Sequence, residues 1–195
     1  MKNLTKKQKT ISLVLLIMLL IAFIVVGTRD YKIQEVDEHK IFSEEFKEVP
    51  VDNVFKYANS SKIYNAINKG EALIFFGFNE NEFSGSYARI LNEVAQENGI
   101  KEILYYDFYE DRKNNNGTYE SIVKYLEMYL TKNDLGNVEL SAPSFVIIKD
   151  KNILYYDDET SRVLSYLTPK SYWTEYNIGL KKATFDVAIK NYLED

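Results

Sequence analysis

The sequence predicts an α/β domain, a mixed sheet flanked by helices, preceded by one N-terminal transmembrane helix. Three observations carry this expectation. Ile11 to Gly27 reads ISLVLLIMLLIAFIVVG, 17 residues without a charge. From Asn53 onward, apolar runs suited to strands alternate with segments of helical period, as a parallel sheet requires. Near the C-terminus, two apolar runs flank Asp150-Lys151-Asn152 and a last helical pattern follows, which adds an antiparallel hairpin closed by a helix.

The totals fit one domain with an appendage. The chain has 195 residues, of which 46% are apolar, including 16 Tyr and 11 Phe, enough to build an aromatic core. It contains no cysteine, so disulfides, thiolate catalysis and Cys-based metal sites are excluded together. The single histidine, His39, rules out a two-His metal site and leaves little for a Ser-His triad. Lys2, Lys6, Lys7 and Lys9 form a basic tail over residues 1–10. Beyond them 20 basic side chains face 29 acidic ones, a net −9 that argues against a nucleic-acid partner.

Residues 11–28 are long enough to span a bilayer, which takes about 17–25 apolar residues. The run ends Val25-Val26-Gly27-Thr28-Arg29, with no small-residue cleavage pattern and no cysteine for lipid attachment, so it reads as an uncleaved signal anchor; a cleaved signal peptide and a buried core helix are the alternatives. Lysines before the span place the N-terminus in the cytoplasm and residues 29–195 outside the cell. Residues 29–52, rich in Glu, Asp and Lys, read as an acidic, polar tether with room for some helix. The domain proper is expected over 53–195.

Within it, Val54–Ala58 suits a short strand, and Lys62–Lys69 a helix stopped by Gly70. Glu71–Phe78 is apolar on both faces, as a central strand should be. Phe83, Tyr87, Ile90, Leu91 and Val94 share one face of a helix that ends at Asn98-Gly99. Ile103–Phe108 is a strand, Asp111–Gly117 a polar loop, and Tyr119–Leu130 a helix. Ser144–Ile148 and Ile153–Tyr156 form the hairpin, and 179–193 the last helix. The acids Asp107, Glu110 and Asp111, and again Asp157, Asp158 and Glu159, lack the spacing of a calcium loop and read as solvated strand ends. Trp173, amid Tyr166, Tyr172 and Tyr176, is either an exposed aromatic patch or core.

Two stretches carry a resemblance. Ala72-Leu73-Ile74-Phe75-Phe76-Gly77-Phe78 runs into Asn79-Glu80-Asn81-Glu82-Phe83-Ser84-Gly85 and a helix; Ala142-Pro143-Ser144-Phe145-Val146-Ile147-Ile148 follows later. With the opening strand and helix of Asn53–Gly70, these make residues 53–193 similar to thioredoxin-like proteins that low-GC Gram-positive bacteria anchor outside their membrane. Some of those proteins are described as bacteriocin transport accessory proteins. The resemblance implies a thioredoxin-like fold with a cis Pro143 facing a degenerate active site, in which Asn81 and Ser84 stand where the family has the two cysteines of Cys-x-x-C. Asn81, Glu82, Phe83 and Ser84 are thus the motif positions, and Ala142 and Pro143 the ligand-facing pair. Disulfide exchange needs two sulfurs, so redox catalysis is not expected. Neither is a metal or another cofactor.

The function expected is a non-catalytic, membrane-anchored extracellular module that binds a protein or peptide in an export, conjugation or bacteriocin system. Two other classes stay open: an enzyme of non-thiol chemistry using Ser84 or the carboxylates Glu80 and Glu82, and a structural subunit of a membrane assembly. The Asn81–Ser84 stretch itself reads either as a capped helix start or as a retained contact surface.

Overall fold

The computed structural model describes residues 37–132, 136–159 and 166–194. All belong to the second of the chain's two units, Asp37–Asp195. The expected basic tail, transmembrane helix and first part of the tether lie outside the described residues. Among the described residues no helix is long and apolar enough to cross a membrane.

The elements, in order, are α1 (Glu38–Glu45), β1 (Phe55–Tyr57), α2 (Ser60–Lys69), β2 (Ala72–Gly77), α3 (Ser84–Glu97), β3 (Ile103–Asp107), α4 (Tyr109–Lys113), α5 (Gly117–Leu126), β4 (Ser144–Lys149), β5 (Asn152–Asp158), α6 (Pro169–Tyr172) and α7 (Glu175–Leu193). The five strands form one mixed sheet in the order β1-β3-β2-β4-β5. β1 and β2 run parallel to β3, while β4 is antiparallel to both β2 and β5. In β2 every residue is buried, because successive side chains enter different cores. Leu73 and Phe75 join Tyr87, Leu91, Tyr105, Phe145 and Phe185 on the side of α1, α3 and α7. Ile74 and Phe76 join Ile63, Tyr106, Ile122, Leu126 and Val146 on the side of α2 and α5.

Local chemistry explains most boundaries. α2 starts two residues before the expected Lys62, because Asn59 caps it by accepting from the Lys62 N–H at 2.9 Å. It stops at Gly70, whose φ of +86° only glycine adopts without strain. The β4–β5 hairpin turns on Asp150 and Lys151, both at positive φ (52° and 65°), the conformation of a two-residue turn that follows the sheet twist. The short α4 takes up the first three residues of the expected polar loop, and its first turn is fixed where Asp107 accepts from the Tyr109 N–H at 2.9 Å.

The structure corrects the tether over its described part. α1 is not a spacer: Phe42 is fully buried and stacks on Phe55 with ring centroids 4.2 Å apart. Phe46 and Val49 are buried with it. Glu45 accepts from the hydroxyls of both Tyr57 and Tyr105, and Glu38 accepts from the Tyr57 N–H at 3.0 Å. His39 and Asn53 bind each other across the junction, Asn53 Nδ2 donating to the His39 carbonyl at 2.9 Å. Residues 37–52 therefore belong to the same compact unit as the sheet. A mostly polar segment hid this because three apolar side chains, well spaced, suffice to dock a short helix.

Candidate functional site

The turn Asn79–Gly85 sits at the carboxyl end of β2, where the sheet changes from parallel to antiparallel neighbours. Ligand sites of α/β sheets favour such switch points. Because Phe76 pairs with Ser144, the antiparallel β4 delivers Ala142 and Pro143 to the same end. The Ala142–Pro143 peptide bond is cis.

Asn81 ties the two segments together. Its Nδ2 donates to the Ala142 carbonyl at 2.8 Å, and its Oδ1 accepts from the Phe83 N–H at 3.0 Å and from the Ser84 hydroxyl at 3.2 Å. Its own carbonyl accepts from the Ser84 N–H at 3.1 Å. Asn81 thus organises the turn before α3 rather than occupying the cap position itself, which falls to Phe83. Ser84 lies at the first position of α3 and is fully buried, while Glu82 is exposed and Phe83 half-buried. The Ser84 hydroxyl meets an amide, which cannot take up its proton, and Glu80 and Glu82 point to solvent.

Behind the turn lies a charged cluster that local reasoning missed. Asp157 and Glu159, expected as solvated strand ends, are buried, each 1% exposed. Lys181 of α7, itself 5% exposed, lies between them: its ammonium is 2.7 Å from Asp157 and also pairs with Glu159. The Tyr87 hydroxyl donates to Asp157 at 2.8 Å, and the Tyr172 hydroxyl donates to Glu159. Burial, with Asp157 adjoining, pushes the Tyr87 hydroxyl well above its ordinary pKa, so Tyr87 stays a donor. Lys181 also lies over the rings of Tyr87 and Phe185, at 5.6 and 5.5 Å from their centroids.

This cluster reaches the turn by two routes. The Glu159 N–H donates to the Pro143 carbonyl at 3.2 Å. The Tyr172 ring meets Phe83 edge-on, with centroids 5.8 Å apart. Trp173 is 9% exposed and packs edge-on against Tyr172, so of the aromatic group Trp173 is core while Tyr166 and Tyr176 face solvent. One sequence signal pointed to the cluster: Lys181 falls on the same side of the last helix as Phe185, Ala188 and Ile189, an unsuitable place for an unpaired cation.

On the other flank of the turn, Asp107 has its pKa raised, first by burial and then by Glu45, Glu80 and Glu110, against the opposing effect of the Tyr109 N–H. Arg112 lies over Phe78 and Phe108, 5.4 and 5.3 Å from their ring centroids. Among the described residues no group of three or more acidic or histidine side chains is arranged to hold a metal ion. No protein-family model matches the chain, and no curated protein matches it in sequence.

Proposed function

We propose that this is a membrane-anchored, extracytoplasmic thioredoxin-like domain that has lost thiol chemistry and binds an extended segment of a partner protein beside Pro143. The strand order, the position of the turn and the proline that faces it support the thioredoxin-like reading. The single observation that carries the function is the bond from Asn81 Nδ2 to the Ala142 carbonyl. At the first of the two cysteine positions the chain has an amide that locks the turn onto the proline loop, which preserves a shaped, preorganised surface in place of a reactive group. Phe83, half-buried against Tyr172, supplies an apolar anchor next to it.

The test uses the full chain in its own membrane, with a photo-crosslinking amino acid replacing Phe83 or, as a control, the exposed Lys124 on α5. A protein adduct at position 83 that is absent at 124 and weakened at least several-fold by Asn81→Leu supports the reading. No adduct at 83, or the same adducts at both positions, overturns it. Protease added to intact, wall-free cells should digest the domain; protection would overturn the topology.

A further inference from the structure

Between Glu175 and Lys190 the most exposed positions of α7 carry no charge: Tyr176, Gly179, Leu180, Ala183, Thr184 and Val187, with the part-exposed Lys182 and Asp186 beside them, each held in an ion pair. The uncharged positions recur at spacings of three and four, so they form one stripe. Tyr176, Leu180 and Val187 are 73%, 51% and 58% exposed. The opposite face, with Phe185, Ala188 and Ile189, is buried in the core. A surface helix is ordinarily apolar on one side only; α2, for comparison, exposes Lys62, Asn65, Asn68 and Lys69. Next to the stripe runs β5, the last strand of the sheet, whose Leu154 is 44% exposed. Leu154, Leu180 and Val187 line a groove of about 410 Å³ between strand and helix.

We propose that this face docks a second copy of the chain, with the two α7 helices antiparallel about a two-fold axis at Ala183. The charges at the ends of the stripe select this occupant. Glu175 lies in the first turn of α7 and Lys190 in the last. Antiparallel packing about Ala183 brings each Glu175 near the other copy's Lys190, whose ammonium also pairs with Asp186 of its own helix at 2.7 Å, twice per dimer, and opposes the two helix dipoles. The same axis sets Val187 of one copy level with Gly179 of the other and one residue from its Leu180, and Gly179 and Ala183 let the backbones approach closely at the centre. A lipid surface fits less well. A helix lying on a membrane has free basic residues along its polar face; here Lys181 is buried and Lys182 is held by Glu93 at 2.6 Å.

The area sets the strength. A helix of 19 residues is about 28 Å long and about 10 Å wide. With Leu154, the face offers roughly 300–500 Å² per copy, below the roughly 800 Å² of a standard interface, so the dimer is concentration-dependent.

The chain contains no cysteine, which makes a single introduced thiol an unambiguous reporter. In the full chain, Ala183→Cys places two thiols across the axis, where facing Cα atoms come within about 4–6 Å, inside disulfide reach. Mild oxidation should give disulfide-linked dimers whose yield rises between about 1 and about 100 μM. Lys124→Cys, exposed on the other side of the sheet, should give at least several-fold less. Leu180→Glu should abolish the Ala183→Cys product. Glu175→Lys and Lys190→Glu should each reduce it several-fold, and the two together should restore it. Trp173 fluorescence confirms that each variant is folded. Failure to cross-link at Ala183, equal yield at Lys124, indifference to Leu180→Glu, or no rescue by the charge exchange would each overturn the proposal. The last outcome would mean that the stripe meets something other than a copy of itself.

Discussion

Replacing Lys181 with methionine tests the buried cluster most directly. The substitution keeps an unbranched side chain of similar length and removes only the ammonium. Asp157 and Glu159, each 1% exposed, would then lose the ammonium that lies between them. Removing one partner from a buried ion pair costs about 3–5 kcal/mol, because the remaining charge is stranded. A domain of this size has about 5–15 kcal/mol in total, and 1 kcal/mol corresponds to about 2–4 °C. Lys181→Met should therefore lower Tm by roughly 6–20 °C. The assay is urea unfolding followed through Trp173, the single tryptophan, whose 9% exposure makes it a reporter of core opening. The triple change Lys181→Met, Asp157→Asn, Glu159→Gln should recover at least half of the loss, since it leaves no charge to strand. A cost for Lys181→Met below about 1 kcal/mol, or a triple variant no better than the single one, would refute the view that the cluster is a desolvated, mutually dependent unit.

Gly70→Ala should cost about 2–4 kcal/mol in the same unfolding assay, because the residue is held at φ +86° and an added Cβ would lie 2.7 Å from the Lys151 backbone nitrogen; a cost within 0.5 kcal/mol of zero, about the level of a neutral surface change, would show that the hairpin turn can yield. Asn81→Cys with Ser84→Cys should form a disulfide in air, with the first thiol acidified into the range of about 3.5–7.5 by the helix N-terminus. The buried Ser84 and the bonds lost from Asn81 should make the reduced form about 1–3 kcal/mol less stable than the parent, and a pair that stays reduced under mild oxidation would show that the turn is not of that geometry. Asp107 has a folded pKa above its unfolded value, so it favours folding below the unfolded pKa and loses that contribution as pH rises through the folded one. Asp107→Asn should accordingly stabilise the domain at pH 7 and converge with the parent near pH 3, and the reverse trend in pH-dependent Tm would exclude desolvation as the cause.

The sequence by itself determined the local elements and the frame of the candidate site. A run apolar on both faces marked β2, helical spacing marked α3, Gly70 and Gly99 marked stops, and the two apolar runs around Asp150–Asn152 marked the hairpin. These signals are legible because backbone hydrogen bonding and side-chain periodicity act over a few residues. The same reasoning brought Asn81 and Ser84 to a strand-to-helix corner. Only the tertiary structure decided that Phe42 buries α1 in the domain, that Ser84 is sealed from solvent, and that Asn81 reaches across to Ala142. It alone joined Lys181 with Asp157, Glu159, Tyr87 and Tyr172. In the sequence the carboxylates of that cluster look like any acidic strand end, and only its spacing from Phe185, Ala188 and Ile189 sets Lys181 apart from its neighbour Lys182. Which charge goes inside depends on whether a partner of opposite sign is waiting there, and that partner comes from a distant part of the chain. Local composition therefore leaves the choice undetermined, and the packing of α7 across β4 and β5 makes it.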